Sequence, residues 1–347
     1  SLLFGDPARA TSTTIKAESR RLMLEKVETR PGGFEVRTIT VNVRHPAIST
    51  GGTTTLNDRE KGPPLTSSWD ELLTLEFNGE SPGVAAVEIM PAGSVTTVFI
   101  AGDSTVTDQR NEPWAGWGQM LPGFFDRSVA ISNHAESGLA LRSFDRQKRL
   151  EKVLSMMKKG DYLFIQFGHN DQKDKSPDAG PFTTYKASLK GYVERTRAKG
   201  GLPVLVTPME RRRWEGGTLQ PTLADYAEAV RQVGAEDKVP VIDLNAMSTK
   251  LYTALGPDTS MRAFAFYPAN TFPGQSEALR DNTHHNTFGG YELARCIVEG
   301  IRSQVPELAV RLNKKAGTFD PAKPDSPDQF KLPRSPAAGA ALTPEGS

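Results

Sequence analysis

Four short segments carry residue types that together could perform acyl transfer: Gly102-Asp103-Ser104-Thr105, Asn133-His134-Ala135-Glu136-Ser137-Gly138, Gly168-His169-Asn170-Asp171 and Asp281-Asn282-Thr283-His284-His285-Asn286. Such a reaction needs a nucleophile, a base to take its proton, a group that orients the base, and donors for the developing oxyanion. Ser104 supplies a hydroxyl at a turn that Gly102 makes tight. A serine hydroxyl needs a positioned base at neutral pH, and His284 is the candidate. Asp281 stands three residues earlier, where one turn of loop would bring its carboxylate to the imidazole and fix the tautomer. The N–H groups of Ser104 and Gly138 and the side-chain amide of Asn170 are the candidate oxyanion donors. Each segment alone has a plainer reading: a capped turn, ordinary loop chemistry, a helix cap, or half of a metal site. Together they fill every role. The site is expected to hold no cofactor and no metal. With five histidines and a single cysteine, Cys296, no cluster supports a metal at Asp281 and His284. Ser104 is followed by Thr105 and Val106 and lies outside any Gly-x-Ser-x-Gly elbow, which argues against the α/β-hydrolase fold.

The elements that must position these residues are short apolar runs alternating with amphipathic stretches. Val98–Ala101, Val129–Ile131, Tyr162–Phe167, Val204–Val206 and Val239–Leu244 fit buried strands. Phe144–Lys159, Thr183–Lys199, Leu223–Ala235 and Phe288–Val305 have helical spacing. Apolar strands separated by helices predict a mostly parallel sheet covered on both faces, with ligands beyond the carboxyl ends of the strands. Three of the four polar segments directly follow such strands. Residues 1–92 read instead as short strands without helices, over Phe34–Val43, Leu73–Phe77 and Val87–Ile89, with turns at Pro31-Gly32-Gly33, Gly62-Pro63-Pro64 and Asn78-Gly79. They predict a small β-sandwich ending at a linker, Pro91–Ser94. Residues 97–313 form the predicted catalytic domain, and the Pro-rich residues 314–347 a wrapping or disordered tail.

The chain of 347 residues carries 42 Lys and Arg against 41 Asp and Glu, so its net charge of +1 gives no reason to expect nucleic acid or an anionic membrane as partner. One cysteine excludes an intramolecular disulfide scaffold. No apolar run approaches the roughly 20 residues that span a bilayer.

Ser104 in Gly-Asp-Ser, Gly138, Asn170 in Gly-His-Asn-Asp and His284 in Asp-x-x-His, in that order, resemble the four blocks of the SGNH (GDSL-type) hydrolases. The wording around them resembles the rhamnogalacturonan acetylesterase group within that family: Phe99 to Asp108, Pro113-Trp-Ala-Gly-Trp-Gly118, Asn133-His134-Ala135, Phe167 to Gln172, and Tyr291 to Arg295. The resemblance implies a flavodoxin-like three-layer αβα domain, with residues 1–92 in the place of a galactose-binding-like sandwich. It also implies removal of acetyl groups from pectic rhamnogalacturonan, an acetylated plant cell-wall polysaccharide or oligosaccharide as partner, and a secreted or periplasmic enzyme whose signal peptide has been removed. Leu139-Ala140-Leu141 after Gly138 departs from the polar residues usual there.

Further candidates flank the site. Trp114 and Trp117 are either sugar platforms or loop packing, and one of Arg211, Arg212 and Arg213 could bind a uronate carboxylate. His285 is expected on the site rim, Asp103 and Asp171 in local support, and Cys296 in the core. Rival readings are another SGNH esterase (acetylxylan esterase, lysophospholipase or thioesterase), a glycan-binding protein with an inert esterase domain, and a metal-dependent hydrolase on Asp281, His284 and His285.

Overall fold

The computed structural model describes residues 1–62, 65–336 and 344. The turn expected at Gly62-Pro63-Pro64 lies mostly outside the described residues, as does the end of the tail.

The N-terminal region holds six strands: β1 (Leu2–Gly5), β2 (Thr11–Ala17), β3 (Arg21–Thr29), β4 (Phe34–Arg37), β5 (Leu75–Ser81) and β6 (Val84–Val87). They form two antiparallel three-stranded sheets, ordered β4-β1-β6 and β3-β2-β5. Leu2, Phe4, Ile15, Ala17, Met23 and Val27 make a small core. β2 and β3 escaped the sequence reading because Lys16 and Arg21, buried within them, break the apolar pattern. The strand expected over Phe34–Val43 pairs only to Arg37. Beyond it Ile39 and Val41 pack on the same core without strand pairing.

Five strands, β7 (Thr96–Gly102), β8 (Val129–Asn133), β9 (Tyr162–Gln166) and β10 (Leu202–Val206), then β13 (Val241–Ile242) after a small hairpin of β11 (Trp214–Glu215) and β12 (Thr218–Leu219), form an all-parallel sheet. Its order is β13-β10-β9-β7-β8, the flavodoxin-like arrangement whose switch point falls between β7 and β9. Alternate residues serve opposite faces. Phe99, Ala101, Leu163 and Ile165 pack under α2 (Leu141–Arg146), α3 (Arg149–Met156), α4 (Lys186–Ala198) and α5 (Ala224–Asp237). Val98, Ile100, Phe164 and Val206 pack under the short α1 (Trp117–Met120), α6 (Leu244–Thr259) and α7 (Thr287–Gln304). This is the expected three-layer domain.

Three details differ from expectation. The helix foreseen over Phe144–Lys159 is two helices, broken at Gln147 and at Lys148, whose φ is 58°. α6 was not foreseen. A hairpin of β14 (Phe264–Tyr267) and β15 (Leu279–His285) carries the Asp281–His284 segment, which was expected in a helical or loop turn. The described part of the tail is ordered against the protein: Phe330 packs on Phe288 and Tyr291, Asp325 pairs with Arg295, and Lys16 Nζ donates to the Pro333 carbonyl at 2.8 Å. Among the described residues no helix is long and apolar enough to cross a membrane.

Candidate active site

β7 and β9 end side by side at the switch point, so the turns after them meet. Gly102 is required there, because a Cβ on it would lie 2.7 Å from Val106 and 3.0 Å from the Gln166 carbonyl. The next two residues turn on the Asp103 carboxylate, whose Oδ1 accepts from the Thr105 N–H at 3.0 Å and its hydroxyl at 2.7 Å. This turn delivers Ser104 Oγ to His284.

The structure brings the three sequence candidates into one line. His284 Nε2 lies 2.8 Å from Ser104 Oγ, and His284 Nδ1 lies 2.8 Å from Asp281 Oδ2. Ser104 and His284 are each only 1% exposed. Asp281 Oδ1 accepts from the N–H groups of Thr283 and His284 at 2.8 and 2.9 Å, so the carboxylate is fixed by the strand that carries the imidazole. Burial would raise the Asp281 carboxyl, but its hydrogen bonds from His284 and Thr283 outweigh burial and hold it below the ordinary range. An ionised Asp281 makes His284 Nδ1 the donor, leaving Nε2 to accept from the serine hydroxyl.

The two halves of the site are stitched together. Ala115 N–H donates to the His285 carbonyl at 3.0 Å, and Trp114 bridges to Asn286. Asn286 then caps α7, its Oδ1 accepting from the Gly289 N–H at 3.0 Å. Strand, base and helix are thus continuous.

Gly138, at φ 80°, and Ser104 present N–H groups that, among the described residues, donate to no protein acceptor. Asn170 Nδ2 donates to the Leu139 carbonyl at 3.1 Å, with a second amide hydrogen to spare. Asp171 was expected to support Asn170. Instead its Oδ1 accepts from the Leu141 N–H at 3.0 Å, so Asn170 and Asp171 together grip the Leu139–Leu141 segment behind Gly138. Its other oxygen is shut away without a partner among the described residues, and burial pushes its pKa up to about 7.

Several flanking expectations are corrected. His285 is not on the rim: it is buried between Phe264 and Tyr252, with Nε2 2.7 Å from the Tyr252 hydroxyl, and burial pushes its pKa down to about 3. Among the described residues no group of three or more His, Cys, Asp or Glu side chains is arranged to hold a metal. Trp114 and Trp117, 1% and 0% exposed, offer no platform to a sugar; Trp117 Nε1 donates to Gln166 at 2.7 Å. Arg213 pairs with Glu215, and Arg212 donates to Asn282 and to the Pro257 carbonyl. Arg211 Nε lies 3.2 Å from Thr283 Oγ1 and lines a cavity with Gln172, Thr222 and Asn282 beside the triad. Cys296 is in the core.

Two partners had no role in the sequence reading. His169 Nδ1 sits 3.2 Å from Asp103 Oδ2, and burial holds its ring below the ordinary imidazole value, so His169 braces the turn that carries Ser104. Gln109 Nε2 donates to the Ser104 carbonyl at 2.5 Å. His169 was legible in principle from its place beside Asn170; Gln109 carried no signal.

The profile of the GDSL-like Lipase/Acylhydrolase family matches residues 100–271. Rhamnogalacturonan acetylesterase RhgT of Bacillus subtilis is 41% identical over 207 residues, 59% of this chain and 88% of that protein. The probable rhamnogalacturonan acetylesterase YesY of the same organism is 34% identical over 210 residues, 59% of this chain and 92% of that one. The crystal structure of Bacillus subtilis protein YxiM covers 87% of this chain and 77% of its own, with a TM-score of 0.52 at 22% identity, a likeness of fold. Sequence likeness across most of two relatives, on a sheet with the expected strand order, places the chain in the GDSL-like lipase/acylhydrolase (SGNH) family: it is a carboxylic ester hydrolase.

Proposed function

We propose that the chain is a serine carbohydrate esterase that removes acetyl groups from pectic rhamnogalacturonan, acting outside the cytoplasm as a secreted or periplasmic enzyme. Ser104 Oγ attacks the acetyl carbonyl while His284 Nε2 takes its proton. Asp281 holds the imidazole and balances the imidazolium that forms. The N–H groups of Ser104 and Gly138 and the free amide hydrogen of Asn170 receive the oxyanion. Collapse of the tetrahedral intermediate breaks the bond to the sugar oxygen, which leaves as a hydroxyl by taking the proton from His284. Water, deprotonated by the same imidazole, then releases acetate and restores Ser104.

The observation that carries the reading is the single line of two 2.8 Å contacts from Ser104 through His284 to Asp281. The names of the relatives support the substrate class. In this reading residues 1–92 are an accessory β-sandwich resembling a galactose-binding module, 97–313 the catalytic domain and 314–347 a C-terminal tail. Acetate release from acetylated rhamnogalacturonan and from acetylated xylan, measured side by side, tests the substrate. Faster release from the pectic polymer is expected. Release mainly from xylan would overturn the substrate, and release from neither would overturn the carbohydrate reading.

A further inference from the structure

Gly138 lies in a segment that the catalytic domain does not hold alone. Arg59, from the one-turn 3-10 helix Asp58–Lys61, reaches across from the N-terminal region. Its Nε donates to Glu136 Oε1 at 2.7 Å and its Nη2 to the Ser137 carbonyl at 2.5 Å. Glu136 Oε1 also accepts from the Ser137 N–H at 2.8 Å. Both sides of Ser137 are therefore pinned.

The Ser137 carbonyl and the Gly138 N–H belong to one peptide group. In a planar trans peptide the two point in opposite directions, so a donor fixed on the carbonyl fixes the aim of the N–H. The donor here is cationic, and charge-assisted bonds are the stronger kind. Hydrogen bonding at the carbonyl also polarises the peptide and strengthens its N–H as a donor. The Arg59 side chain is 16% exposed and its Glu136 partner 5%, so solvent screens the contact little.

The turn that carries Arg59 is anchored for this reach. Glu60, its neighbour, is 1% exposed and accepts from Arg149 of α3 at 3.1 Å and from Trp69 Nε1 at 2.9 Å. Gln147, at the break between α2 and α3, receives the Thr55 N–H on its carbonyl at 2.8 Å and donates to Asn57 at 3.1 Å. The helix break is thus the dock for the segment that delivers Arg59. Arg59 lies outside residues 100–271, the span of the family match.

We propose that Arg59 is a positioning residue for the oxyanion hole: through the Ser137 carbonyl it aims and polarises the Gly138 N–H, so the N-terminal region takes part in turnover. The inference rests on the reading of Gly138 as an oxyanion donor. The test is steady-state hydrolysis of 4-nitrophenyl acetate by the full chain, with inhibition by methylboronic acid, whose adduct on serine mimics the tetrahedral intermediate. Arg59→Gln, Arg59→Lys and Asn170→Ala are compared with wild type. Arg59→Gln is expected to lower kcat about tenfold, less than loss of a direct donor, with KM little changed and boronate affinity lowered in parallel. Arg59→Lys, which keeps the charge but not the two-pronged contact, is expected between Gln and wild type. Wild-type kcat in either folded variant, or a rise in KM with boronate affinity unchanged, would overturn the inference. If Asn170→Ala loses kcat and the Arg59 variants do not, the inference fails while the oxyanion reading stands. If Asn170→Ala is also unaffected, the oxyanion reading itself fails.

Discussion

In the α/β domain the buried Asp103, His169 and His284 and the half-buried Asp281 gather where the Ser104 turn, the β9 turn and β15 meet, each held by a neighbour within that domain. In the N-terminal region the buried charges reach outward. Arg20 pairs with Glu112 at 2.7 Å and donates to the Gln109 and Trp114 carbonyls, and Arg21 pairs with Asp108 at 2.5 Å. Arg44 donates to the Asn133 carbonyl at 2.6 Å, and Glu60 pairs with Arg149. All of these partners lie in the loop after Ser104, in the segment opening at Asn133, or on α3. A core as small as the N-terminal one cannot by itself fix those loops. Buried charge there works as a set of staples, whereas charge in the crevice forms the line of contacts that the proposed mechanism uses for proton transfer. Residues distant from Ser104 and His284 in sequence thus hold the loops around them.

The largest expected effect belongs to the crevice. Ser104→Ala should lower kcat by roughly 10⁵-fold or more with the fold intact, since loss of a triad nucleophile leaves only binding and oxyanion stabilisation. Circular dichroism and acetate release together check this. Asp281→Asn should follow at about 10⁴-fold, by presenting the wrong tautomer to Ser104. A small loss there would mean that the Asp281–His284 contact is a strand-end cap and that the crevice charges, too, are structural.

Next comes the staple. Arg20→Met leaves Glu112, 12% exposed, with Lys16 at 3.9 Å as its remaining cation, and should destabilise by about 3 kcal/mol, as breaking buried pairs does. Arg195→Met, which breaks an exposed pair with Asp145, should cost less than about 0.5 kcal/mol. Equal shifts in denaturation midpoint would erase the contrast between the regions.

A further effect is in pH. Asp171 has a folded-state pKa raised to about 7, mainly by burial, against an unfolded value of 3.8. The folded chain therefore holds a proton that the unfolded chain has released, and the stability from this group is present below pH 3.8 and lost as pH rises towards 7. Asp171→Asn should flatten that decline in urea denaturation between pH 4 and 7. An unchanged slope would show that the carboxylate is ionised within its grip on Leu141.

Most of the crevice was legible because the segments carrying Ser104, Gly138 and Asn170 directly follow apolar strands, and a parallel sheet places such positions together. Ser104, Gly138, Asn170 and His284 could be paired with roles before their distances were known. His285 was misplaced because Asp-x-x-His spacing cannot tell which of two adjacent side chains in a strand turns to the core; alternation of faces sends His284 to the site and His285 to Tyr252. Trp114 and Trp117 were ambiguous for a different reason: their burial is set by the loop folding back. The staples were not legible at all. Arg20, Arg59 and Glu60 look like solvated charges until a partner from another segment is brought to them.

The proposed mechanism makes Ser104 a nucleophile activated by His284. Incubation of the full chain with an alkyl fluorophosphonate, followed by peptide mass mapping, tests this role. One label per chain on the peptide bearing Ser104, with activity lost in proportion and labelling slowed strongly in Asp281→Asn, is the predicted result. Full activity after exhaustive exposure, or loss of activity with the label on another residue, would contradict it.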